Sequence, residues 1–133
     1  MKIAALIARI VLGLAFGFFG LNIFLNFLHA PVQPGTAGQF MGALFASHYI
    51  YLIGAVQVIG GALLLSGFYV PLALTLLGPM LVNILAFHIT MAPSGLPLAL
   101  VATALWFVVF AYVRSAFSGI FAKRAGSYGS IVR

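Results

Sequence analysis

The 133-residue sequence contains no aspartate, no glutamate and no cysteine. Without side-chain carboxylates there is no acid–base catalysis by carboxyl groups, no acidic proton relay and no oxygen cage for a hard cation. Without cysteine there is no thiolate nucleophile, disulfide exchange or iron–sulfur ligation. Cations are few as well: Lys2, Arg9, Arg114, Lys123, Arg124 and Arg133 lie toward the two ends, and residues 10–113 carry no formal charge. Basic residues so placed read as flanks and not as the continuous basic face that nucleic acid requires, so no nucleic-acid partner is expected. Membrane lipids are, with anionic headgroups at the basic tail.

What remains is apolar. Hydrophobic residues make up 65% of the chain, charged ones 5%, and the mean hydropathy is +1.26, against about 45–50% apolar and 25% charged in a soluble domain. Such a surface belongs in lipid. The first apolar run continues for about 25 residues after Lys2, well beyond the roughly 7–15 of a signal-peptide core, and is expected to be a retained span.

Breakers divide the chain. His29-Ala30-Pro31, the Gly67–Pro71 turn and Ala92-Pro93-Ser94-Gly95 separate apolar stretches at residues 3–28, 48–68, 71–91 and 96–114, each near the length a bilayer demands. A less apolar segment at 35–46, with Phe40, Met41, Leu44 and Phe45, reads as a short interfacial or re-entrant helix. Gly78-Pro79 predicts a kink inside the third span. The expectation is an all-α protein: a four-helix transmembrane bundle over residues 1–118, followed by a basic C-terminal tail at 119–133. Because the cations cluster at the ends, the positive-inside rule predicts that both termini are cytoplasmic, which requires an even number of spans.

Small residues mark the packing. Gly13 and Gly17, extended by Gly20, form a small-residue track on the first span, and Gly54, Gly60 and Gly61 thin the second. Such residues let helix backbones approach closely in lipid.

Polar side chains within spans are the candidate functional groups, since each costs free energy unless paired. Arg9 has no acid to meet and is expected to snorkel, to bind backbone carbonyls, or to hold an anionic ligand. Asn22 and Asn26, four residues apart, share a helix face and are expected to bond across the bundle. Gln57 and Asn83 fall at similar depth on adjacent spans. They are expected either to pair, or to hold the carbonyl of a quinone in a slot walled by Phe16, Phe18, Phe19, Phe24, Trp106 and Phe107. His29, His48 and His88 gather at one boundary, but only His88 lies inside a span, so interfacial hydrogen bonding is expected in place of haem or zinc. The ligand-binding candidates are therefore Arg9, Asn22, Gln57, Asn83 and His88; no catalytic or metal-binding set is present.

Two stretches, ARIVLGLAFGFFGLNIFLNFLH and AVQVIGGALLLSGFYVPLALTLLGPMLVNILAFH, resemble the DoxX and DoxX-like family of small four-helix bacterial membrane proteins. The resemblance rests on Arg9, Gly13, Phe16, Gly20, Asn22, Gln57, Gly60, Gly61, Leu63 to Leu65, Gly67 and Pro71. Many members have a glutamate just before the paired glycines; Gln57 keeps its hydrogen bonding and lacks its proton exchange. Some members are described as subunits of quinone-linked oxidoreductases, others as accessory components. The resemblance thus implies a multi-pass protein of the bacterial inner membrane and no single activity; the scarcity of ionisable groups, the uniform apolarity and the small size suit a non-catalytic subunit or accessory protein of a larger membrane complex, respiratory or redox. The alternative, motivated by the resemblance together with Arg9, Asn22, Gln57, Asn83 and His88, is a quinone- or lipid-binding component of an oxidoreductase. Other membrane subunits or further copies of the chain are the expected protein partners. A small-solute transporter ranks third, because no charge lies at depth to form an ion path.

Overall fold

A computed structural model describes residues 2–123. Arg124 and Arg133, with most of the basic tail, lie outside the described residues. Five α-helices follow one another: α1 (Lys2–Leu25), α2 (Gly35–Ala46), α3 (Ile50–Ser66), α4 (Val70–Thr90) and α5 (Leu96–Val113), with single 3₁₀ turns at Pro93–Gly95 and Arg114–Phe117. Among the described residues there is no strand.

Backbone conformation sets the boundaries. The first apolar run continues through Phe27 and Leu28, yet α1 stops at Leu25 because Asn26 turns left-handed (φ 50°). Asparagine tolerates that region better than most residues, since its short side chain can bond locally. Here the neighbouring Asn22 does so: its Oδ1 accepts the Leu28 N–H at 2.7 Å. Left-handed His48 (φ 64°) separates α2 from α3, and left-handed Gly67 (φ 77°) ends α3 with its N–H donated to the Leu63 carbonyl. Pro71 opens α4, where its missing N–H costs nothing.

Helices Lys2–Leu25 and Val70–Thr90, and the continuous stretch Pro93–Phe117, are long and apolar enough to cross a membrane. The 17 residues of α3 reach about 26 Å at 1.5 Å per residue, close to the hydrocarbon thickness. α2 and α3 meet at 87°, so α2 lies across the bundle's end, where Phe40 rests 5.7 Å from the Phe87 ring of α4.

The four long helices form a closed ring in the order α1, α3, α4, α5 and back to α1. Neighbours run antiparallel: Arg9 meets Leu64, Gly20 meets Gln57 and Gly54 meets Phe24 between α1 and α3, while Trp106 meets Leu74 between α5 and α4. Residues at three- and four-residue spacing, Ala8, Leu12 and Phe16 with Val70, Leu74, Leu77 and Leu81, fill the centre together with Leu64 and Val109. The start of α1, the α3–α4 turn and the close of α5 share one end of the bundle, the near end. Lys2, Arg9 and Arg114 lie there; His29, His48 and His88 lie at the far end.

Glycines set the α1–α3 distance. A Cβ on Gly13 would sit 2.9 Å from Leu65 Cγ, and one on Gly20 would sit 2.9 Å from the Val58 amide nitrogen. On Gly17 it would meet nothing within 4 Å. The intimate pair on α1 is therefore Gly13 and Gly20, seven residues apart; Gly17 contributes its backbone, against which Gly61 rests.

Candidate functional site

Five polar residues stood out in the sequence, and the fold disperses them. Arg9, on the half-buried side of α1, donates from Nη1 to the Leu64 carbonyl oxygen at 2.6 Å. That carbonyl belongs to the last turn of α3, which has no intrahelical partner to offer it and carries the negative end of the helix dipole. Arg9 is thus a C-terminal cap supplied by another helix, one of the roles expected of it.

Asn22 and Asn26 do not reach across the bundle. Both end α1: Asn26 donates its backbone N–H to the Asn22 carbonyl at 2.8 Å and turns the chain, and Asn22 holds the Leu28 N–H. Gln57 and Asn83 do not share a face. Gln57 lies between α1 and α3, only 8% exposed, and is the buried polar residue of the core. Asn83 is exposed on the outer face of α4, where its Nδ2 donates to the Pro79 carbonyl at 2.8 Å. No hydrogen bond joins the two amides.

His88 fastens the α4–α5 turn. Its Nδ1 lies 3.0 Å from the Ala92 carbonyl oxygen; a carbonyl only accepts, so Nδ1 carries the hydrogen. Gly95 leaves room for that ring, since a side chain there would run into it. His48 stacks on Tyr51, 5.9 Å between centroids. Among the described residues no group of histidines could hold a metal ion.

The rings expected to wall a quinone slot also separate. Phe16 is core, Phe18 and Phe19 pack together 5.4 Å apart on an exposed part of α1, and Phe24 stacks on Tyr51. Trp106 stacks on Phe110 at 5.3 Å and donates its Nε1–H to the Leu74 carbonyl at 3.1 Å, with Gly78 beneath the ring. Beside it a lipid-facing notch of about 340 Å³ runs between α4 and α5, lined by Gly78, Leu81, Val82, Leu85, Thr103, Trp106 and Phe107. Thr103 and Trp106 already spend their donors on backbone carbonyls, so the notch offers a ligand no free donor.

Polar chemistry collects instead in a larger near-end cavity of about 580 Å³ between α1, α5 and the α3–α4 turn. Lys2 and Arg9 bring two cations, Tyr69 and Tyr112 bring phenols, and Ala5, Leu6, Val70, Pro71, Val109 and Val113 supply apolar lining. Of the five candidates, Arg9 alone reaches it. Lys2, Tyr69 and Tyr112 escaped the sequence reading; their signal was weak, being one terminal cation and two aromatics at span ends, where interfacial anchors are ordinary.

The DoxX family model matches residues 4–89. Comparison with curated proteins produced no match, and comparison with solved structures produced none.

Proposed function

The chain belongs to the DoxX family of membrane proteins, and from that premise we propose that it is a non-catalytic subunit or accessory protein of a larger membrane complex. In this reading it sits in the bacterial inner membrane with its near end on the cytoplasmic side. The cations at that end support the orientation.

One observation carries the reading. Asn83 faces outward near the middle of α4, and Thr75, Pro79 and Ala86 are exposed on the same helix. Thr75 bonds the Pro71 carbonyl and Asn83 Nδ2 bonds that of Pro79, which leaves the Asn83 carbonyl oxygen without a donor in an apolar solvent. Small and amide-bearing faces of this kind are where membrane helices associate, and a neighbouring helix that donates to Asn83 would relieve the cost. Catalysis has little support in the same side chains: apart from Gln57, the candidate residues engage backbone groups of their own chain, and no side-chain carboxylate or thiol exists.

Purification from native membranes in mild detergent tests the proposal. The chain should emerge with stoichiometric membrane partners, and Asn83→Leu should release them while the bundle itself stays folded. Recovery of the unaltered chain alone, or as a self-oligomer only, would overturn it.

A further inference from the structure

The near-end cavity has a chemistry that suits one class of ligand, and the inference does not depend on whether the chain works with a partner. We propose that it binds the headgroup of an anionic phospholipid, with the acyl chains lying along α1 and α5.

The charge is unbalanced and built in. Arg9 spends one N–H on Leu64, and its remaining donors engage no protein acceptor among the described residues. Lys2 lines the same cavity, and no side-chain carboxylate exists anywhere in the chain to neutralise either cation. The helix ends contribute no comparable excess, because α4 begins at the cavity wall where α3 and α5 end, so the two side-chain cations carry the positive potential.

Geometry chooses the lipid over free phosphate. A phosphate ion would occupy only the Lys2–Arg9 corner, whereas much of the wall is apolar, from Ala5 and Leu6 to Val109. A volume of about 580 Å³ falls within the range of roughly 300–1,000 Å³ typical of organic ligand sites. Tyr69 and Tyr112, exposed at the rim, are placed to meet the interface where headgroup and acyl chain join.

The test uses the full chain reconstituted in equal amounts of phosphatidylglycerol and phosphatidylcholine, extracted in mild detergent, with retained lipid counted by native mass spectrometry. The protein should keep phosphatidylglycerol preferentially. Lys2→Gln removes an exposed cation with no packing role and should lower retention about fivefold, the equivalent of about 1 kcal/mol per basic residue near an anionic surface. Arg9→Gln should lower it further, but it also removes the α3 cap, so Lys2→Gln decides. Lys123→Gln, which changes a cation outside the cavity lining, should retain lipid as the unaltered protein does. Equal retention of both lipids would overturn the site, as would an equal loss in Lys123→Gln and Lys2→Gln. Displacement of the retained lipid by excess inorganic phosphate would overturn the choice of a lipid.

Discussion

Gly61 of α3 bears directly on the backbone of Gly17 in α1: a Cβ at position 61 would stand 2.7 Å from the Gly17 amide nitrogen and 2.9 Å from the Gly13 carbonyl oxygen. The relationship is one-sided, because a Cβ on Gly17 would point into open space. Gly61→Ala must push two helix backbones apart and should cost about 2–3 kcal/mol, the upper range for overpacking. Gly17→Ala should leave the thermal midpoint in detergent unchanged or raise it slightly. If both variants lose stability alike, the facing of α1 described above is wrong.

Gly67 and Arg9 form a second coupled pair. Position 67 requires φ 77°, and a Cβ there would also lie 2.7 Å from Arg9 Nη1. Gly67→Ala should therefore lose about 1–2 kcal/mol from backbone conformation and, in addition, part of the Arg9 cap. Combined with Arg9→Leu, the loss should be smaller than the sum of the single losses, since the cap can be lost only once. Circular dichroism melts of the four proteins of this cycle give the answer; strict additivity would separate the two residues.

Asparagines on α1 and α4 should respond oppositely to the same change. Asn22→Leu leaves the Leu28 N–H without its acceptor and should cost about 1 kcal/mol, seen as faster amide exchange at Leu28. Asn83→Leu removes an outward amide that bonds only its own helix, so the midpoint of the isolated protein should stay level or rise. A fall of several degrees for Asn83→Leu would place that side chain inside the bundle.

Acid should do little. Most acid unfolding protonates native-state carboxylates that are paired or hydrogen-bonded, and this chain has no Asp or Glu. In non-ionic detergent the thermal midpoint should be flat through about pH 5 to 3, where carboxylates ordinarily titrate. Helical signal followed across that range is the measurement, and a steep loss would point to a source of acid sensitivity other than side-chain carboxylates.

The helical stretches were legible in the sequence; azimuth was not. Apolar length and breakers marked the helical stretches. In a soluble protein the polar face of a helix then reveals which side is buried, but lipid is as apolar as a core, so that contrast vanishes. Hence Gln57 and Asn83, expected to face each other, lie on different faces: Gln57 is buried and Asn83 is exposed. The buried line Val70, Leu74, Leu77 and Leu81 turns Asn83 outward. The spacing of Gly13 and Gly17 marks the seam that Gly61 approaches, but it does not show that a side chain would be tolerated at Gly17 and not at Gly13 or Gly20. Leu28 was assigned to the first span because hydropathy cannot register a single left-handed residue such as Asn26. The near-end cavity draws on α1, α5 and the α3–α4 turn, segments that only the closed ring brings together.

Lys2, Arg9 and Arg114 at one end, with no acid to offset them, also make the bundle responsive to voltage. Carrying one charge across a membrane held at 100 mV takes about 2.3 kcal/mol, so these three cations alone add about 7 kcal/mol to the cost of inverting the bundle against such a potential. An energised membrane, negative on the side of the near end, would hold the protein in a single orientation for as long as it stayed charged.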